Sequence, residues 1–101
     1  MDMAKVNETI TIGKHSVRNR MTFAPTVKFG WAEVDSGIAN EKHVKHYGDI
    51  AKYGCGLICV EATCVAKDGR LAPSQLGLWN DEQIEGHRRI TDACHEHGAT
   101  V

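Results

Sequence analysis

Two short apolar runs set the terms for this chain: Arg20-Met21-Thr22-Phe23-Ala24-Pro25-Thr26 and Cys55-Gly56-Leu57-Ile58-Cys59-Val60-Glu61-Ala62. Each leads into a polar or glycine-containing segment and then into a helical pattern. A near-continuous run such as Leu57-Ile58-Cys59-Val60 fits a strand covered on both faces, and strand then helix, twice over, is the rhythm of a parallel sheet. The expected class is therefore α/β. Where such units close into a (β/α)8 barrel, chemistry sits at the ends of the strands, and closure takes roughly 200 residues or more. With 101 residues, the chain reads as the opening part of such a barrel. The expected parts are an amino-terminal hairpin over about 8–18, two β/α units over about 20–54 and 55–98, and a third strand beginning near Val101.

The punctuation supports that layout. Glu8-Thr9-Ile10-Thr11-Ile12 alternates polar and β-branched residues, Gly13-Lys14 supplies a turn, and His15-Ser16-Val17-Arg18 returns as the second arm. Pro25 cannot donate to a ladder and belongs at a strand end. From Phe29 to Ala39 the pattern lapses into a loop marked by Gly30, Asp35, Ser36 and Gly37. Asn40 is an N-cap candidate for a helix to about Tyr53, with Val44, Tyr47 and Ala51 on its apolar face and Gly54 as terminator. The second strand then runs from Cys55 to about Val65. After a loop carrying Lys67, Asp68, Gly69, Pro73 and Gly77, Asn80 and Gln83 make a capping-box pattern. The helix it starts runs to about His97 and Gly98, with a weak stripe of Ile84, His87, Thr91 and Cys94.

Composition excludes several classes of partner. A net charge of −1 gives no electrostatic case for nucleic acid or an anionic membrane. No apolar stretch approaches the roughly 20 residues of a membrane span. Met1 to Asn7 is polar and lacks the apolar centre of a secretory signal, so a cytoplasmic protein is the expectation. Of the four cysteines, Cys55 and Cys59 fall on one strand face, too far apart to bridge. Buried free thiols are expected at Cys55, Cys59, Cys64 and Cys94.

Isolated polar residues carry weaker signals. His43 and His46, like Cys94 and His97, are three apart on helices, but zinc sites need four clustered ligands. They are read as solvated helix faces, with no metal. Glu61, an acid within an apolar strand, reads as a polar residue paired with a basic neighbour, the alternative being a cofactor or substrate contact. Lys28 and Arg70 read as solvated basic residues, the alternative being a phosphate or pyridine-nucleotide contact. Trp31 and Trp79 read as packing or subunit-contact residues.

Taken in order, Asn19-Arg20, Ala24-Pro25, Gly56-Leu57-Ile58, Val60-Glu61-Ala62-Thr63, Gly69-Arg70, Gly77-Leu78-Trp79 and Asp81-Glu82-Gln83 resemble a known family. They are similar to the amino-terminal part of the old yellow enzyme family of FMN-dependent NADH:flavin oxidoreductases and ene-reductases. The resemblance spans about Glu8 to Val101. It implies a TIM barrel that holds FMN at the carboxyl ends of its strands. Hydride would pass from NADH or NADPH through the flavin to an activated alkene or another small-molecule acceptor. It places Ala24, Pro25, Thr26 and Val27 under the flavin ring and Ala62 at its polar edge. Small or rigid residues there suit close approach of backbone to a flat cofactor. Val27 stands where many members carry a Thr or Cys that tunes the flavin, and it cannot donate a hydrogen bond. The family's remaining cofactor, substrate and proton-donor residues fall beyond Val101, so no catalytic residue is assigned within these 101. A homo-oligomer is the expected assembly.

Two other functions compete: a cofactor-free remnant or self-associating interaction module, and a different barrel enzyme acting on a phosphorylated substrate. Taken alone, the 101-residue chain is expected to leave Leu57, Ile58 and Val60 partly exposed, to self-associate, exchange elements with a second copy or remain loosely packed, and to be inactive with FMN held weakly at best.

Overall fold

A pair of short parallel strands stands at the centre of the structure, a computed structural model that describes residues 4–101. Residues 1–3, the start of the polar leader, lie outside the described residues. A four-residue helix, α1 (Ala4–Asn7), comes first and was not anticipated from the sequence. The hairpin follows as β1 (Ile10–Ile12) and β2 (His15–Val17), antiparallel with Ile10 opposite Val17, and Gly13 turns it at φ +59°. Next come β3 (Thr22–Phe23), α2 (Glu41–Lys52), β4 (Leu57–Ile58) and α3 (Ile84–Glu96). Strands β3 and β4 pair in parallel, Thr22 with Leu57 and Phe23 with Ile58. A further parallel bridge joins Leu57 to Thr100, with Ile58 N–H donating to the Thr100 carbonyl at 2.8 Å.

The strands are much shorter than the apolar runs that announce them. The last rung, Cys59 N–H to the Phe23 carbonyl at 3.1 Å, closes the β3–β4 ladder. Pro25 has no N–H to extend it, and beyond Glu61 the chain turns to another partner. Cys64 bridges to Gly77, giving its amide to Leu76 and accepting from Leu78.

Helix α2 begins where Asn40 caps it: Asn40 Oδ1 accepts from Lys42 N–H at 3.0 Å, and His43 Nδ1 accepts from Asn40 N–H at 3.1 Å. His43 thus takes the part that Glu or Gln plays in a capping box. This overturns its reading as a solvated surface residue. His43 is fully buried and His46 half-buried, both edge-on to the Trp31 ring at 5.5 and 5.4 Å. A neutral imidazole with one nitrogen already paired can be buried among rings, which a charged side chain cannot do cheaply. At α3 the anticipated Asn80–Gln83 box is present, Gln83 Oε1 accepting from Asn80 N–H at 3.2 Å. The buried stripe is Gly86, Ile90 and Cys94, rather than Ile84, Thr91 and Cys94; Ile84 is exposed. Gly86 explains the offset, since a Cβ there would lie 2.8 Å from the Ala39 carbonyl oxygen, so this face makes the closest approach.

The core lies between the sheet and the two helices: Tyr47, Ala51, Ile58, Leu76, Ile90, Cys94 and Ala99. Each large aliphatic side chain there contributes about 1.5–3 kcal/mol by leaving water. Ile58 is buried, contrary to the exposure expected of it, because α2 and α3 already cover that face; Leu57 and Val60 remain half-exposed. The four cysteines are free. Cys64 and Cys94 are buried, but Cys55 is half-buried and Cys59 exposed, since Cys59 faces away from the helix-covered side that Ile58 occupies. No described helix is long and apolar enough to cross a membrane.

Candidate functional site

The sequence-predicted site residues sit where the two parallel strands end. Ala24, Pro25 and Thr26 are exposed and Val27 half-buried just past β3, and Ala62 is exposed four residues past β4. Thr26 Oγ1 donates to the Ala24 carbonyl at 3.3 Å, so its hydroxyl is engaged within its own segment.

What holds the two strand ends together is a buried pair, Tyr47 and Glu61, with the backbone of half-buried Lys28. Tyr47 on α2 and Glu61 past β4 are 0% and 2% exposed. The Tyr47 hydroxyl donates to Glu61 Oε1 at 2.9 Å and accepts the Glu61 backbone N–H at 3.0 Å. The second carboxylate oxygen, Oε2, accepts Lys28 N–H at 3.0 Å, across 33 residues, from the segment that follows Val27. Burial, together with Glu61, raises the Tyr47 pKa well above its usual value, so the hydroxyl stays protonated. The expected basic partner of Glu61 is thus replaced: a phenol and a backbone amide satisfy the carboxylate, and Lys28 contributes its N–H rather than its ammonium. Lys28 Nζ instead lies 6.0 Å from the centroid of Trp31. Alternation past β4 does hold, with Glu61 buried and Ala62 exposed.

Ala62 is held from its other side by Gln75, a residue that the sequence reading missed. Buried Gln75 donates through Nε2 to the Ala62 carbonyl at 3.1 Å and accepts Leu71 N–H at 2.6 Å. A glutamine in a polar loop gives no periodic signal that would mark it as buried. The neighbouring loops are similarly fixed. Arg70, read as solvated, pairs with Asp35, donates to the Lys67 carbonyl at 2.8 Å and lies 5.9 Å from the centroid of the Trp79 ring. The pairing lowers the Asp35 pKa. Trp79 packs so closely on Gly37 and Gly77 that a Cβ at either would fall within 3 Å of its ring. Gly30 N–H donates to Ser74 Oγ at 2.8 Å, joining the loops after the two strands.

The arrangement offers an exposed floor of mostly small side chains, and among the described residues these strand ends bring no nucleophile–base pair together. Among the described residues, no three His, Cys, Asp or Glu side chains come together as metal ligands. A groove of about 470 Å³, lined by Met21, Phe23, His46, Ile50, Tyr53 and Cys55 among others, runs along the outer edge of β3. None of the strand-end residues lines it.

Comparison with known proteins identifies the family of the chain. Residues 5–101 match the NADH:flavin oxidoreductase / NADH oxidase family. An NADPH dehydrogenase of Listeria monocytogenes is 37% identical over 97 residues, which is 96% of this chain and 28% of that enzyme. The chain therefore spans little more than a quarter of that relative. The old yellow enzyme from Trypanosoma cruzi superimposes with a TM-score of 0.85 at 28% identity, over 98% of this chain and 26% of its own. An old yellow enzyme homologue from Zymomonas mobilis does so with a TM-score of 0.82 at 29% identity, over 94% of this chain and 26% of its own. Enzymes of this family are FMN-dependent and take NADH or NADPH as reductant. With a match from residue 5 to residue 101 and the shared strand–helix geometry, the chain belongs to the NADH:flavin oxidoreductase / NADH oxidase family.

Proposed function

We propose that residues 1–101 are the amino-terminal part of a single FMN-binding TIM barrel, contributing its hairpin and first two β/α units. The parent enzyme would transfer hydride from NADH or NADPH, by way of the flavin, to an activated alkene or another small-molecule acceptor. The observation that carries this reading is the pair of exposed strand ends, Ala24-Pro25-Thr26-Val27 and Ala62, fixed relative to each other by Glu61 and Tyr47. When bound, FMN supplies the two-electron hydride chemistry that protein side chains lack.

The residues fit such a group. Ala24, Pro25 and Ala62 are small or rigid and exposed, leaving room for a flat ring to approach the backbone. Val27 brings no donor to that ring, and Thr26 Oγ1 is already engaged with the Ala24 carbonyl. On this reading, hydrogen bonds that tune the flavin come from backbone N–H groups or from residues outside this chain. So read, the strand ends support the flavin, and the 101 residues are inactive by themselves. The parent is a cytoplasmic homo-oligomer acting on small molecules.

The experiment is substitution at the proposed ring edge. Ala62→Trp in the complete gene product should abolish retention of FMN while leaving far-ultraviolet circular dichroism largely intact. Full FMN occupancy in that variant would remove Ala62 from the site.

A further inference from the structure

We infer that Glu61 is a positioning residue: with Tyr47 it sets the spacing between the two strand ends on which the flavin rests. The inference deepens the function proposed above and rests on it. Three features carry it. Among the described residues the buried carboxylate has no salt-bridge partner, and it spends its oxygens on two different elements, the Tyr47 hydroxyl of α2 and the Lys28 amide past β3. Its own backbone N–H returns to the same hydroxyl, so residue 61 is gripped by main chain and side chain together. The next residue is Ala62, whose carbonyl is pinned from the opposite side by Gln75. Glu61 thus acts through Lys28 on the segment 24–27 and through the chain on Ala62, while its side chain points away from the exposed floor. A carboxylate suits this post, because it accepts from two donors at once and the low-polarity interior strengthens both bonds. An amide keeps one oxygen for the Lys28 N–H and turns its own N–H toward the phenol oxygen, which leaves the phenol proton without its acceptor, so it replaces the carboxylate only in part.

The test uses the complete gene product, titrated with FMN and followed by the quenching of flavin fluorescence. Bound-flavin absorption bands and thermal unfolding are recorded in parallel. Glu61→Ala is expected to weaken FMN binding about tenfold or more, the effect of losing roughly one charge-assisted hydrogen bond at the support, and to shift the bands. Glu61→Gln, which keeps one of the two acceptors, should weaken binding less than Glu61→Ala. Gln83→Ala is the control. That buried side chain ties α3 to Ser36 and Trp79, so its loss lowers the unfolding temperature without touching the strand ends. It should leave FMN affinity and bands unchanged. If Glu61→Ala does not fold, Tyr47→Phe, which removes one oxygen atom, is read in its place with the same expected direction. Unaltered affinity and bands in Glu61→Ala, or an equal loss in Gln83→Ala, would overturn the positioning role while leaving the flavin reading in place. A natural protein that takes up no FMN would overturn both.

Discussion

At the scale of single residues, the contacts explain why certain amino acids stand together in the sequence. Asn19 and Gly56 are one such pair. Asn19 Nδ2 donates to the Gly54 carbonyl at 2.6 Å and its Oδ1 accepts Met21 N–H at 3.0 Å, tying the entry of β3 to the entry of β4. A Cβ on Gly56 would lie 2.4 Å from Asn19 Oδ1 and 2.8 Å from its carbonyl oxygen. Gly56→Ala should therefore destabilise the complete gene product by about 1–3 kcal/mol, the usual cost of overpacking, as measured by urea unfolding. An unchanged midpoint would mean that Asn19 moves aside freely. The family resemblance pointed to the strand-end residues Ala24, Pro25 and Ala62, and the structure leaves all three exposed there. Glu61 was legible only as an anomaly. Its polarity in an apolar run flagged it, but a partner that is a helix phenol and a distant amide leaves no trace in local sequence. In place of the expected basic side chain, the carboxylate meets the Tyr47 hydroxyl and the Lys28 N–H.

At the scale of elements, the helix boundaries were readable and the strand lengths were not. Asn40, Gly54, Asn80 and Gly98 act locally, within a turn of the helix end they mark, so sequence suffices; Gly54 and Gly98 both take positive φ. A strand's length depends on how far its neighbour stays alongside, which is a tertiary property. The apolar runs therefore overstate β3 and β4. Histidine at the third helical position hid the capping role of His43, and that role has a pH consequence. Burial, the largest cause, lowers the pKa of His43 and of His46 below the ordinary 6.5. Glu61 opposes the shift at both, while His46, His87 and Lys42 add to it at His43 and Lys28 at His46. The unfolded chain then binds more protons than the folded one at mildly acidic pH. The stabilisation is complete above about pH 6.5 and is lost as pH falls below it. His43→Gln keeps an acceptor for Asn40 N–H without titrating, so its unfolding free energy should fall less steeply over the same range. Parallel pH profiles would remove His43 from the account.

A second element-scale device is Arg18, which follows the hairpin and caps the ends of both long helices. Its guanidinium donates to the His97 carbonyl after α3, and through Nη2 to the Ala51 and Cys55 carbonyls at 2.6 and 2.8 Å. A cation at two helix C-termini opposes both dipoles at once. Arg18→Met keeps the stem but removes the donor to all three carbonyls, of which Ala51 retains the Gly54 N–H, and should cost about 2–4 kcal/mol by denaturant unfolding. Arg18→Lys should recover only part, since an ammonium lacks the planar fork. Equal stability of the Met and natural proteins would show that water replaces the guanidinium.

At the scale of the whole molecule, the 101-residue chain carries surface that asks for a partner. Strand β3 is an edge, and the groove beside it exposes Met21 (51%) and Tyr53 (83%). An uncovered edge next to an apolar groove favours association. In isolation, these 101 residues should sediment as dimers or larger species at micromolar concentration and hold FMN weakly. A cooperatively folding monomer that binds FMN tightly would contradict that. The central claim, however, concerns the complete gene product, and one measurement bears on it most directly: the visible absorption spectrum of that protein as purified, before and after denaturation. The account predicts flavin bands that shift on denaturation as FMN is released, with about one FMN recovered per chain. A colourless protein that takes up no added FMN would contradict it.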